Sequence, residues 1–167
     1  MDLAAWLNLI STVAIVGALI FTGLQVRTAN RTRHETAAIT VIQTTQSDSW
    51  TRAIDLLRKL PDNANTASVL AAGPEVERAI FEFGVRLETI GYMVFQRIIP
   101  LHAIDDLVGG VTFVYWSRAK QWIENVRNET GNAKFLEWSE WLVDRIAERR
   151  SRLGLQPAHL RFKSWRE

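Results

Sequence analysis

Cysteine is absent from the 167 residues, which excludes disulfides, thiolate nucleophiles and thiolate metal sites. Histidine is scarce: the three, at 34, 102 and 159, fall in separate stretches, and none stands four residues from another. There is no paired Glu-x-x-His motif, so a di-metal helical site is not expected. A Gly-x-Ser-x-Gly elbow, a phosphate-binding loop and a dinucleotide fingerprint are missing too, since Gly109-Gly110 stands alone before a helical pattern. No segment alternates at period two, which argues against a sheet. The sequence therefore assigns no catalytic residue, no cofactor and no metal ligand.

Charge is missing from Leu3 to Val26, 24 consecutive positions, and Arg27, Arg31 and Arg33 follow at once. As a helix this run is about 36 Å long, against about 30 Å for a hydrocarbon core. A cleaved signal peptide would begin with a basic region and carry a shorter apolar run; here the start is Met-Asp. A core helix uncharged on every face is unusual in so small a chain. The run is expected to span a membrane once. Trp6 near the outer end fits an aromatic belt, and the three arginines fit the positive-inside rule, with the N-terminus outside and the following domain in the cytoplasm. Ala14, Gly17, Ala18 and Thr22 are candidates for helix–helix association, although such residues are common in membrane helices in any case.

Glycine and proline are also missing between Leu24 and Leu60, so the helix is expected to continue as a long juxtamembrane rod over 27–60. Threonines at 28, 32, 36, 40 and 44 form a slowly drifting stripe along it. Trp50, Ala53, Ile54, Leu57 and Leu60 restore an apolar side before Pro61-Asp62-Asn63 ends the helix. A loop follows over 61–73. Pro74 opens a helix in which Val76, Ile80, Phe83, Leu87, Ile90 and Val94 recur at spacings of 4, 3, 4, 3 and 4. A short helix over 101–108, closed by Gly109-Gly110, is expected next. Two more are marked by Val111, Tyr115, Ala119, Trp122 and Val126 and by Phe135, Trp138, Leu142 and Ile146. The fold class is all-α: an anchor over 1–26, the rod over 27–60, an antiparallel helical bundle over 61–154 packing on 45–60, and a basic aromatic tail over 155–167.

Leu24-Gln25-Val26-Arg27 with Asn30, then Leu87-Glu88-Thr89-Ile90-Gly91, an Asp-Asp-Leu stretch, Trp116 and Phe135-Leu136-Glu137-Trp138 together resemble a family of small uncharacterised bacterial proteins. In these, one N-terminal membrane helix precedes a helical domain of unknown function, and the likeness covers most of residues 5–146. The resemblance implies the architecture and a bacterial inner-membrane location, and it implies no activity.

Glu88 is the most informative polar residue. On a helical wheel it falls amid a second apolar face of Phe81, Val85, Tyr92, Phe95 and Ile99. A carboxylate there needs a partner, and Arg118, Arg127 or a tryptophan N–H is expected to supply one. The alternative is a pocket around Glu88 serving an enzyme or a ligand sensor. In the tail, Phe162, Lys163, Trp165 and Arg166 interleave bases with aromatics, a pattern suited to a protein partner or lipid headgroups more than to nucleic acid. Net charge is −3 over 73–108 and +4 over 144–167, which suits contacts between helices. The functional expectation is a non-catalytic anchored protein that binds protein partners or itself, as an accessory subunit of a membrane complex. Trp116, Trp122, Trp138 and Trp141 serve a core or an interface equally well. A large apolar patch left exposed in the isolated chain would discriminate between them.

Overall fold

The computed structural model describes the backbone of residues 2–45, 47–154 and 156–166, and their side chains except at 3–5, 7–10, 29–38, 40, 42, 44 and 45. The described residues are helical throughout their regular structure: α1 (Leu3–Thr45), α2 (Asp48–Leu57), α3 (Thr66–Ala72), α4 (Pro74–Phe95), α5 (Leu101–Thr130), α6 (Glu137–Leu153) and α7 (Ala158–Arg161). The chain divides into two compact units, 1–37 and 38–167.

In the first unit, Ser11–Thr28 has a mean hydropathy of 1.3 and no buried residue. Val13, Ile15, Leu19, Ile20 and Phe21 are all exposed. The Thr22 hydroxyl donates to the Ala18 carbonyl at 2.8 Å and the Thr28 hydroxyl to the Leu24 carbonyl at 3.0 Å, so both polar groups are satisfied within the helix. This segment is long and apolar enough to cross a membrane; a signal sequence has the same length and composition.

In the second unit the expected rod to Leu60 is broken. α1 ends at Thr45, and Ser47 leaves helical geometry at φ −78°, ψ 144°. Its hydroxyl accepts the Trp50 N–H at 3.3 Å, capping α2. The break turns Trp50 into the core, where it stacks on Phe83 with ring centroids 4.2 Å apart. A Ser-Asp cap and the burial of a tryptophan thus outweigh the uninterrupted helix that the lack of glycine and proline allows. The loop over 61–73 contains α3, capped by Asn65, whose Oδ1 accepts the Ser68 N–H at 2.9 Å.

α4 packs against α2, α3, α5 and α6. All six apolar residues of its sequence period are buried. At Gly91 a Cβ would run into the Trp138 backbone carbonyl, so this glycine permits the close approach of α6. The expected helix end at Gly109-Gly110 does not occur, because α5 runs unbroken through both. A Cβ at Gly109 would lie 2.6 Å from Asp105 Oδ1 and 2.6 Å from an Arg150 nitrogen. The glycine makes room for an ion cluster there. Helix-stop glycine follows instead at Gly131 and Gly154, both left-handed.

Candidate interaction surface

The first turn of α6 lacks a cap of its own. Leu136 occupies the N-cap position at φ 56°, ψ 39° and offers no oxygen to the leading N–H groups. Glu88, reaching from α4, fills the role. Its Oε2 accepts the Ser139 N–H at 2.8 Å and the Ser139 hydroxyl at 3.2 Å, and that hydroxyl also lies 2.9 Å from the Gly84 carbonyl. A carboxylate is favoured at the positive end of a helix.

Glu88 has the partner that a carboxylate on an apolar face needs, but not one of those expected. It is half-buried rather than buried, and its partner is neither arginine nor tryptophan. Arg118 binds the Leu60 carbonyl and lies 2.7 Å from Asp62, while Arg127 pairs with Glu140 at 2.5 Å and donates to the Phe135 and Leu136 carbonyls. A helical wheel gives the direction in which Glu88 points, and it is the uncapped start of α6 that arrives there.

Asp105, the first residue of the Asp-Asp-Leu stretch, carries no local sign of burial, yet it is 5 % exposed. Its two oxygens meet Arg149 and, at 2.6 Å, Arg150 of α6, and Arg150 also lies over the Phe113 ring at 4.9 Å. The neighbouring Asp106 pairs with Arg161 of α7 at 3.2 Å. The negative stretch and the basic C-terminal stretch thus meet within the domain. Tyr115, fully buried, donates to the Ile80 carbonyl at 3.2 Å. Burial, with a smaller contribution from the Glu88 carboxylate, pushes its hydroxyl well above the usual phenol range.

On the outer side of the α4–α6 junction, four of the five residues of the second apolar face stay exposed; only Ile99 is buried. Phe95 lies 4.7 Å from Trp138 and 5.9 Å from Trp141, and Tyr92 meets Trp138 edge-on at 5.6 Å. Trp138 and Trp141 are themselves 5.9 Å apart and half-buried. Further along, Phe81 stacks on Phe135 at 6.3 Å. The five tryptophans of α2, α5 and α6 thereby separate into two sets: Trp50, Trp116 and Trp122 are buried in the core, and Trp138 and Trp141 edge a continuous aromatic surface.

Clefts among the described residues lie away from this surface. One of about 400 Å³ is rimmed by Arg52, Glu75, Arg78 and Glu82, already paired as Arg52–Glu75 at 2.9 Å and Arg78–Glu82 at 2.7 Å. Another, about 270 Å³, lies among Asp105, Asp106, Arg150, Gln156 and Arg161. An open apolar hollow in the tail is formed by Ala158, His159, Phe162 and Trp165. Glu88 lines none of these three. Among the described residues, no group of three or more His, Asp or Glu is placed to hold a metal ion.

The residues expected at the membrane are dispersed along α1. Trp6, Arg27, Ala14, Gly17, Ala18 and Thr22 are exposed, and open space surrounds the position a Gly17 Cβ would take. The side chains of Arg31, Arg33, His34 and the threonines at 32, 36, 40 and 44 lie outside the described residues. In the tail, Phe162, Lys163, Trp165 and Arg166 are all exposed.

The model of a domain of unknown function, DUF4760, matches residues 12–146. The chain belongs to this family. The DUF4760 segment contains Glu88, Ser139, Asp105 and the whole aromatic surface, and it stops before Arg149, Arg150 and the tail. No curated protein and no solved structure matches the chain.

Proposed function

We propose that this DUF4760 chain is a single-pass protein of the bacterial inner membrane whose helical domain binds a protein partner, as an accessory subunit of a membrane complex. The observation that carries the reading is the aromatic surface of Tyr92, Phe95, Trp138 and Trp141. Large aromatic side chains left in water are costly to a monomer and are enriched where proteins meet. The uncharged run of α1 supports a membrane span, and Arg27, Arg31 and Arg33 support a cytoplasmic domain under the positive-inside rule. α4 and α6 then act as a rigid two-helix platform of an antiparallel bundle. The engagement of Glu88 as a helix cap favours this platform over an enzymatic pocket.

Native mass determination on the full chain, gently extracted from its own membrane, tests the reading. A partner in fixed stoichiometry, lost when Tyr92 and Phe95 are both changed to Ser, is the expected result. A monomer with no partner would overturn it.

A further inference from the structure

The C-terminal segment carries a second surface, outside the family match. From Arg149 to Glu167 there are six basic residues and one acidic one, Glu167. Three of the six are occupied: Arg149 and Arg150 by Asp105, and Arg161 by Asp106. The Asp106–Arg161 pair fastens one side of the segment to α5. On α7 and the turns after it, Ala158, Phe162 and Trp165 follow at spacings of 4 and 3, with backbone N–H groups of Phe162 and Trp165 bonded to the Ala158 and Phe162 carbonyls at 2.9 Å. These residues share one face. It is open to solvent: Phe162 is 52 % and Trp165 65 % exposed. Lys163 and Arg166 flank the aromatics and are exposed as well.

We infer that this segment is a binding site for an anionic lipid surface. Charge complementarity decides the occupant. Aromatic side chains flanked by exposed bases, in a segment where bases outnumber acids, match the layer where headgroup phosphates meet acyl chains: the rings enter the boundary and the bases meet the negative surface. The inference rests on the membrane-anchored reading above, because the anchor keeps the segment near a bilayer and makes a weak contact effective. The domain is then held to the membrane at its C-terminal end as well as by α1.

The absence of native cysteine permits a clean test. Ser164→Cys and, separately, Thr22→Cys are spin-labelled in the full chain, which is reconstituted into nanodiscs of phosphatidylcholine alone or with phosphatidylglycerol. Collision rates with oxygen and with a water-soluble nickel chelate report the depth of each label. The expected result is a Thr22 label in hydrocarbon in both lipids and a Ser164 label that leaves the aqueous phase only with phosphatidylglycerol. Lys163→Gln with Arg166→Gln should lower the bound-to-free ratio about 30-fold, at about fivefold for each base removed. A Ser164 label equally aqueous in both lipids overturns the inference, with the anchor intact. So does a label shielded equally in both and indifferent to the double variant, the sign of docking on protein. Shielding of Ser164 by a single-stranded oligonucleotide but not by phosphatidylglycerol overturns it in favour of nucleic acid. A Thr22 label in water removes the anchor instead, and the Ser164 response to added phosphatidylglycerol vesicles still decides the tail.

Discussion

Glu88 and Ser139 show how a single pair can join two helices that are far apart in sequence. Glu88→Ala leaves the Ser139 N–H without its acceptor and removes a negative group from the positive end of α6, a loss of about 1–2 kcal/mol. Glu88→Gln keeps an acceptor oxygen and should recover most of it. Chemical denaturation of the two variants checks both, and equal losses would mean that only the charge matters. Asp105 is held more strongly. Asp105→Asn leaves Arg149 and Arg150 facing each other across a neutral amide, and about 2–3 kcal/mol should be lost; Arg150 keeps access to water, which holds the cost below that of a fully buried pair. Tyr115 gives a pH dependence. Its folded pKa is raised, so above about pH 10 the unfolded chain releases the phenolic proton while the folded chain retains it. Its contribution is complete below that pH and is lost as pH rises. Stability measured from pH 9 upward should fall, and Tyr115→Phe should flatten part of the decline.

Among the elements, α4 was the most legible in the sequence. Its proline start and 4-3-4-3-4 period required nothing beyond the segment itself, and all six period residues are buried. What escaped is what depends on a neighbour. Gly109-Gly110 reads locally as a helix stop, yet α5 continues because Gly109 yields space to Asp105 and Arg150 while Gly110 stands open. The two glycines should therefore respond oppositely. Gly110→Ala gains about 0.5–1 kcal/mol from helix propensity. Gly109→Ala pushes into the ion cluster and loses about 1–3 kcal/mol. Thermal unfolding of the two variants in one detergent checks the contrast. The break before α2 follows the same logic: Ser47-Asp48-Ser49 is a usable cap, but Arg86 of α4, donating to the Ser47 hydroxyl at 3.0 Å and the Ser49 hydroxyl at 2.6 Å, helps fix it in place. Glu88 belongs here too. Its prominence was visible on a wheel, and its partner was not, because Ser139 lies 51 residues away.

For the whole molecule, the aromatic residues separate structure from recognition. Trp50, Phe83 and Tyr115 stack in sequence through the core, at 4.2 and 4.8 Å, while Tyr92, Phe95, Trp138 and Trp141 form the outer surface proposed to meet a partner. The proposed partner binding depends on that surface. Its most direct test is site-specific photocrosslinking in cells that make this chain, with p-benzoylphenylalanine introduced at position 92 and, as a control, at the exposed position 129 on α5. One discrete adduct of defined mass is expected from position 92 and none from position 129. No adduct at either position, or the same adducts from both, would contradict it.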